Sequence, residues 1–365
     1  MKRRILLVIG VIVMATAGIT IMSSSNEDGK FVNTDTRYET DSSNIWQITK
    51  AYVKVNRITP TPSTEIPVLP VTPEQLSASH DAMYRLGHST ILMRLNGKLI
   101  LTDPVLSERA SPVQWAGPKR FHESPISGED LPEIEVVVIS HDHYDHLDKD
   151  AIKLLDSKVK RFLTPLKVGQ RMIEWGVSPD KVIEMDWWDE YSVEGIKFVA
   201  TPSQHFSGRG LFDRDKTLWA SWVIQSETRN LFFSGDSGYF KGFKQIGEKY
   251  GPFDVTMVET GAYNELWSDI HMMPEGSMQA HLDLKGRYMM PIHNGTFDLS
   301  LHDWYEPFER VLDLATQNEV TLLTPKFGQE IALDDVPATP HWWREVEAEK
   351  HWDEGEVAKN TLSFN

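Results

Sequence analysis

The chain contains no cysteine, and this absence removes several classes of site at once. Disulfide bonds, thiolate metal ligands and a cysteine nucleophile are all excluded. No Gly-x-Ser-x-Gly sequence is present, so the serine elbow of the α/β hydrolases is missing as well. Basic residues are fewer than acidic ones, 37 against 53, and the net charge is −16. Because no basic cluster stands out, the composition argues against nucleic acid as a partner.

The most informative segment is a histidine-rich stretch at residues 140–148, which reads Ser-His-Asp-His-Tyr-Asp-His-Leu-Asp. It follows an apolar run at residues 136–139 that is typical of a strand. Four side chains of the kind that bind metals fall close together: His141, His143, Asp145 and His146. Residues two apart lie on opposite sides of a helix, so this spacing suits a loop. The segment predicts a site for two metal ions, and a solvated polar loop is the alternative interpretation.

Three more potential ligands each follow a short apolar run farther along the chain: His205, Asp236 and His293. Such runs are typical of strands, so these side chains are expected at strand ends. A single histidine after a strand is more often a hydrogen-bonded structural residue than a ligand. Three in this order, behind the histidine-rich loop, predict a site built along the edge of a sheet.

This ordered set resembles the site of the metallo-β-lactamase superfamily over about residues 78–335. The resemblance implies a layered α/β (α+β) fold, the four-layer αββα sandwich, and a hydrolytic site with two Zn²⁺ ions. By it, the first zinc is held by His141, His143 and His205, the second by Asp145, His146 and His293, and Asp236 bridges both. Iron-containing versions of the fold typically have glutamate at the third position of the loop motif. Histidine stands there in this chain, which favours zinc and hydrolysis.

Six further motifs are similar to one branch of the superfamily, the branch of N-acylphosphatidylethanolamine-hydrolysing phospholipase D and its bacterial relatives. They lie at residues 86–90, 102–105, 202–206, 235–239, 271–275 and 291–297. The similarity implies a phosphodiesterase of phospholipase D type that cleaves N-acylphosphatidylethanolamine-like phospholipids with a metal-bound hydroxide. Members of the branch act on different molecules, so two alternatives stay open. One is a lactonase or ester hydrolase of a small, phosphorylated substrate, and the other is a non-catalytic, membrane-tethered binding protein.

Two residues are candidates for catalysis, Asp236 as the bridging ligand and His271 as the general acid. His271 precedes a predicted helix, and the related motif of the phospholipase branch places its histidine near the substrate. A helix-capping or surface histidine is the alternative. Three residues are candidates for supporting the ligands or contacting the substrate: Asp103, Gln204 and His302. Asp148 stands where a helix is expected to begin, and aspartate is a good N-cap.

The chain divides into four regions by composition. Residues 1–22 are a membrane anchor or a signal peptide, 23–77 an extension or linker, 78–335 the catalytic domain and 336–365 a tryptophan-rich acidic tail. In the first region, a basic start precedes eighteen uncharged residues at 5–22, the lower limit for crossing a membrane. We therefore expect a membrane-anchored protein with an extracytoplasmic catalytic domain, or an exported protein if the segment is cleaved. The expected partners are the membrane and a phospholipid or small ester substrate.

Apolar periodicity predicts alternating strands and helices between the two ends. Strands are expected at 81–85, 90–95, 98–102, 135–140, 161–164, 196–201, 220–226, 230–235, 254–258, 288–292 and 320–324. Helices are expected at 148–155, 167–175, 239–250, 274–284 and 303–316. Several strands follow one another without a helix between them, which indicates hairpins and layered sheets rather than one parallel sheet.

Overall fold

The computed structural model of the protein describes residues 24–27, 29–36 and 42–348. Its strands are β1 (Ser25–Glu27), β2 (Lys30–Val32), β3 (Ala82–Gly87), β4 (Thr90–Leu95), β5 (Lys98–Thr102), β6 (Ile134–Val138), β7 (Val159–Pro165), β8 (Val182–Met185), β9 (Glu190–Val193), β10 (Ile196–Thr201), β11 (Ser221–Gln225), β12 (Asn230–Phe233), β13 (Phe253–Glu259), β14 (Gly286–Ile292), β15 (Thr321–Leu322) and β16 (Glu330–Ala332). Its helices are α1 (Ser42–Lys54), α2 (Pro73–Leu76), α3 (Lys149–Leu155), α4 (Val168–Glu174), α5 (Gly242–Lys249), α6 (Pro274–Asp283), α7 (Glu306–Gln317) and α8 (Trp342–Val346).

Two seven-stranded sheets form the centre of the fold. The first has the order β16-β3-β4-β5-β6-β7-β8 and the second the order β15-β14-β13-β12-β11-β10-β9. Each sheet is antiparallel on one side and parallel on the other, with the parallel pairs running from β5 to β8 and from β12 to β15. Apolar side chains of both sheets, such as Val136 and Phe233, are fully buried in one shared core between them.

Helices cover the outer face of each sheet. On the first sheet, Ile152 of α3 and Met172 of α4 share a core with Phe162. On the second sheet, side chains of α5, α6 and α7 pack against β12 and β14. Alternate residues of a strand point to opposite faces of the sheet. A strand with apolar residues on both faces can therefore pack against the other sheet on one side and against helices on the other. The layers are helix, sheet, sheet and helix, which confirms the αββα architecture implied by the resemblance.

Both ends of the described chain pack against the domain. The proline-rich composition of residues 59–77 is linker-like, yet Ile66, Val71 and Leu76 are buried in apolar clusters of the domain. At the other end, Trp342 and Trp343 are fully buried beside Phe308, so this part of the tryptophan-rich tail docks onto the domain. The apolar segment at residues 1–22 and Trp352 lie outside the described residues. Within the described part, no helix has the length and apolarity that crossing a bilayer requires.

One edge of the sandwich collects the segments that carry the predicted ligands. β6, β12, β13 and β14 all end there, as does β10, and the β3–β4 turn lies beside them. The loop after β6 leads into α3, whose first turn is capped by Asp148, the acceptor of the N–H groups of Asp150 and Ala151. The predicted cap is therefore confirmed. We call this side of the molecule the ligand edge.

Candidate metal centre

Four predicted ligands form a first group on the loops after β6, β10 and β12. Nε2 of His141 lies 2.9 Å from Nδ1 of His143, which lies 3.3 Å from Nε2 of His205. Oδ2 of Asp236 is 3.8 Å from Nε2 of His141 and 3.7 Å from Nε2 of His205. Three imidazoles and one carboxylate therefore point at a common space.

A second group shares Asp236 with the first. Oδ2 of Asp145 lies 3.6 Å from Nε2 of His146 and 3.3 Å from Nε2 of His293. The carboxylate of Asp236 reaches both histidines, with Oδ1 3.1 Å from Nε2 of His146 and Oδ2 3.1 Å from Nε2 of His293. The structure thus brings all seven predicted ligands together, with Asp236 between the two groups. Their binding of metal stays a prediction.

Local backbone geometry explains how two of these side chains reach the site. Gly235 has φ +55°, and a Cβ there would lie 2.4 Å from Cβ of Ser140, so glycine lets the Asp236 loop approach the histidine-rich loop. His293, directly after β14, has a left-handed backbone conformation with φ +65°. For a residue other than glycine this conformation is uncommon and is kept only where surrounding contacts enforce it.

Hydrogen bonds to the outer ring nitrogens orient the histidines. Nδ1 of His146 lies 2.7 Å from Oδ2 of Asp103, and Nδ1 of His205 lies 2.9 Å from the carbonyl oxygen of Ile270. Such contacts fix the tautomer and turn Nε2 inward. His88 supports a carboxylate instead, since its Nε2 is 3.2 Å from Oδ2 of Asp145. Asp103 therefore has the supporting position expected for it.

The donor atoms fit metal ions. Nitrogen and oxygen ligands around a tetrahedral zinc at 2.0–2.2 Å are about 3.4 Å apart, and the separations within the two groups are 2.9–3.8 Å. Nε2 of His146, Nε2 of His293 and Oδ1 of Asp236 are buried without a hydrogen bond. Buried polar atoms are normally satisfied, so these orphaned atoms fit a site that binds a cation.

The electrostatics of the two groups differ. Burial lowers the pKa of His141 and His205 well below the usual range, which favours the neutral imidazole that binds metal. Burial also opposes a charge on His293, but Asp236 and Asp145 outweigh it and raise the pKa of His293 to about 10. Burial would raise the pKa of Asp236, whereas the facing His146 and His293 hold it well below its usual range. The carboxylates of the second group therefore favour positive charge beside them, which a bound metal ion would also supply.

His271 lies beside both groups and has a partner that sequence reasoning missed. Its ring centroid is 5.1 Å from that of His205, and its Nδ1 forms a short ion pair with Oε1 of Glu259. Burial lowers the pKa of His271, but Glu259 outweighs this effect and raises it. The available signal was Glu259 itself, a carboxylate at the buried end of the strand β13.

The other predicted residues lie near the site without joining the ligand groups. Nε2 of Gln204 donates to the carbonyl of Asp269, and its backbone N–H donates to Ser237 Oγ, so Gln204 connects two loops of the ligand edge. His302 stacks on Tyr263 at 4.4 Å between ring centroids. It also lines a small cavity with His293 and several apolar side chains: Phe121, Phe297, Leu299 and Trp304.

Known proteins share this architecture. A family model described as the beta-lactamase superfamily domain matches residues 98–294. An uncharacterized protein of Mycobacterium tuberculosis (strain H37Rv) is 40% identical over 336 residues, which cover 89% of each chain. N-acyl-phosphatidylethanolamine-hydrolyzing phospholipase D 1 of Caenorhabditis elegans is 38% identical over 248 residues, which cover 64% of this chain and 69% of that protein. The structure of isothiocyanate hydrolase from Delia radicum gut bacteria matches with a TM-score of 0.56 at 19% identity, covering 69% of this chain and 98% of the other.

The αββα sandwich and the buried histidines and aspartates at its edge define a metal-dependent hydrolase. The chain belongs to the metallo-β-lactamase superfamily.

Proposed function

We propose that the protein is a di-zinc phosphodiesterase that hydrolyses N-acylphosphatidylethanolamine-like phospholipids in the manner of a phospholipase D. The observation that carries the two-metal part is the position of Asp236, within 3.1–3.8 Å of nitrogens in both ligand groups. Such a carboxylate serves two ions at once. When bound, two zinc ions would supply an activated water and neutralise charge on the phosphate oxygens.

The chain's own residues supply positioning and a proton. In the proposed reaction, His271 donates a proton to the departing alcohol oxygen through Nε2, because Nδ1 is engaged by Glu259. Glu259 is fully buried and also accepts a hydrogen bond from the N–H of Ser237 at 2.6 Å, so the pair is held from behind. The ring of His271 thereby keeps one orientation toward the ligand groups.

Two observations favour a lipid over a small phosphorylated substrate. The first is that the relative from C. elegans bears the name of an N-acyl-phosphatidylethanolamine-hydrolyzing enzyme. The second concerns Arg209, which follows His205 in the sequence and is engaged within the protein instead of forming a basic pocket for a phosphate. Its Nη1 donates to the carbonyls of Asp142 and Leu147 at 2.7 Å, and its guanidinium lies 3.9 Å from the ring centroid of Tyr144.

The membrane part of the proposal rests on the sequence of residues 1–22. A basic start followed by an apolar stretch is typical of a signal anchor or a signal peptide. The catalytic domain is thus proposed to act outside the cytoplasm, held near a lipid surface or exported.

Metal content and substrate class are tested together. Protein purified in zinc is analysed for its metals, then assayed against N-acylphosphatidylethanolamine, phosphatidylcholine, simple phosphodiesters and lactones. We expect close to two zinc ions per chain and hydrolysis of the phosphodiesters. The variant Asp236→Ala should lose nearly all turnover together with metal, because it removes a contact of both groups.

The matched control is Asp254→Ala, which removes an aspartate remote from the ligand edge that accepts the N–H of Asn230. Iron in place of zinc, or one ion per chain, would contradict the di-zinc assignment. Hydrolysis of lactones without hydrolysis of phosphodiesters would replace the phospholipase assignment with the lactonase alternative.

A further inference from the structure

The most exposed large apolar side chains are not scattered over the described surface. Six of them have 66% to 91% of their area exposed: Trp46, Val53, Ile58, Trp115, Leu211 and Phe212. The other large apolar residues of the exposed class reach only 38% to 47%. Isolated exposed apolar residues are normal, but several on segments attached to the same edge indicate a contact surface. All six belong to segments anchored at the ligand edge.

Leu211 and Phe212 lie at the tip of a loop fastened to the histidine-rich loop. At its base, the N–H of Gly208 donates to Oδ1 of Asp142 at 2.8 Å. Nε of Arg171 lies 2.8 Å from Oδ2 of the same aspartate, and its Nη2 lies 2.7 Å from Oδ2 of Asp213. Asp142 stands between two predicted zinc ligands in the sequence, so the apolar tip is connected to the metal centre through one buried carboxylate.

Trp115 lies at the tip of a second loop, which begins and ends at the ligand edge. At the base of this loop, the backbones of Arg109 and Lys119 form an antiparallel β-bridge. The loop is attached to the α3 cap, because the N–H groups of Leu106 and Ser107 donate to Asp148. At its other end, the N–H of Phe121 donates to the carbonyl of Thr296, three residues after His293.

The remaining three residues come from the segment before the domain. Val53 and Trp46 are on α1, which is held by Tyr52 stacking on Trp267 at 6.3 Å between centroids. In the sequence, Trp267 belongs to the loop that runs from the end of β13 to His271, and this loop lies at the ligand edge. Ile58 is next to Thr59, whose N–H donates to Oδ1 of Asp303 at 2.7 Å in the segment that follows His293.

From this arrangement we propose that the six residues, the apolar rim, dock the catalytic domain onto a phospholipid bilayer with the metal centre facing the membrane. The proposal rests on the proposed function and extends it from the substrate headgroup to the surface that carries it. Tryptophan and phenylalanine are favoured at the boundary between headgroups and acyl chains. The net charge of −16 gives no general attraction to an anionic surface, so apolar insertion is the means of attachment.

Because the natural chain has no cysteine, single cysteines report insertion cleanly. Full-length Phe212→Cys, Trp115→Cys and Val53→Cys are each labelled with an environment-sensitive dye and mixed with vesicles of phosphatidylcholine and phosphatidylethanolamine. Leu282→Cys on α6, partly exposed and away from the rim, is the control. We expect a blue shift and quenching by bilayer-embedded quenchers at the three rim positions only. This readout depends on the position of the label, so attachment through residues 1–22 alone does not produce it.

The second arm compares substrates. In Leu211→Ser/Phe212→Ser, the ratio of turnover on vesicle-borne lipid to turnover on bis(4-nitrophenyl) phosphate should fall at least about tenfold, since each side chain buries apolar area on insertion. Leu282→Ser should keep the ratio. Dyes that stay in water at all three rim positions would overturn the docking surface even if lipid dispersed in detergent is cleaved. A concentration-dependent blue shift without vesicles would assign the rim to self-association and also overturn it. Insertion without any phospholipid cleavage would contradict the proposed function alone.

Discussion

Glu259 and His271 form a pair. His271 is the proposed proton donor to the substrate, and Glu259 holds its imidazole in place. Glu259 is buried, and its two oxygens are taken by His271 and by the N–H of Ser237. We expect Glu259→Gln to lower kcat with little change in KM, because the amide no longer stabilises the protonated imidazole. His271→Ala should lower kcat further, and both variants should retain their zinc.

The leaving group separates a proton-transfer role from a structural one. A 4-nitrophenyl leaving group departs without a proton, so the loss of kcat should be small with it and large with an alkyl phosphodiester. Glu309→Gln is a matched control, because Glu309 is equally buried but contacts Trp343 and Arg344 far from the metal centre. Loss of zinc in His271→Ala would identify His271 as a ligand, and equal losses with both leaving groups would contradict the general-acid role.

The turn after β14 illustrates how an element places a ligand. Asn294 stands between the left-handed residues His293 and Gly295, and Nη2 of Arg85 donates to its carbonyl at 2.6 Å and to its side-chain Oδ1 at 2.7 Å. Nδ2 of Asn294 donates to the carbonyls of Thr260 and of the last residue of β14. Arg85 is fully buried, and its guanidinium lies over aromatic rings rather than beside a carboxylate.

We therefore predict that Arg85→Met weakens metal binding. Methionine keeps most of the apolar packing but removes the two hydrogen bonds that Arg85 donates to Asn294, and loss of such supporting contacts typically costs about 10–100-fold in metal affinity. The measurement is a zinc titration against a competing chelator. Arg94→Met is the control, since Arg94 is equally buried on the neighbouring strand but donates to the carbonyls of His80 and Gln75. An equal loss of zinc affinity in both variants would reduce the effect to general destabilisation.

The elements that the sequence predicted are those with strong apolar patterns. Every predicted strand and helix has a counterpart, and the boundaries differ by a few residues, as for β6, predicted at 135–140 and found at Ile134–Val138. Five strands were missed, β1 and β2 before the domain and β8, β9 and β16 within it, as were the helices α1, α2 and α8. β9 reads Glu-Tyr-Ser-Val and β16 only Glu-Ile-Ala, too short for periodicity to show. They exist because a neighbouring strand offers hydrogen bonds at the edge of its sheet, which is tertiary information.

The residues predicted to bind metal could be recognised from the sequence, but most of the residues that support them could not. Predicted ligands such as His141 and Asp236 are recognisable because metal chemistry restricts residue type and spacing. Residues that hold the ligands are not, since any acceptor at the right place suffices: an aspartate for His146 but a backbone carbonyl for His205. Glu259 and Arg85 belong to this second kind, and only the fold brings them to the site.

At the scale of the whole molecule, buried neutral histidines make stability depend on pH. His281 on α6 bonds to Thr256 and His122 bonds to Thr296, and burial lowers their pKa to about 4 and about 3. The unfolded chain binds these protons near pH 6.5, whereas the folded protein resists them. Their contribution to stability is therefore complete above pH 6.5 and is lost as pH falls toward 4.

Each such histidine should make the free energy of unfolding fall by about 1.4 kcal/mol per pH unit in that window. Urea unfolding between pH 7 and pH 4.5 tests this, with His281→Gln compared to the natural protein under the same zinc concentration. The variant should show the shallower dependence whatever its absolute stability. Parallel curves for the two proteins would show that His281 does not remain neutral in the folded state.

The last prediction concerns the side of the membrane on which the domain lies. Lys2, Arg3 and Arg4 precede the apolar stretch at residues 5–22, and basic flanks stay cytoplasmic. Eighteen residues at 1.5 Å each extend about 27 Å as a helix, close to the roughly 30 Å of a hydrocarbon core. The domain would then emerge outside, and the apolar rim would face the outer leaflet of the membrane that anchors it. Reporters fused after Ser25, one active only outside the cytoplasm and one only inside, decide the orientation: we expect the first to be active and the second silent. The reverse pattern would contradict the extracytoplasmic position of the catalytic domain and weaken the lipid hypothesis with it.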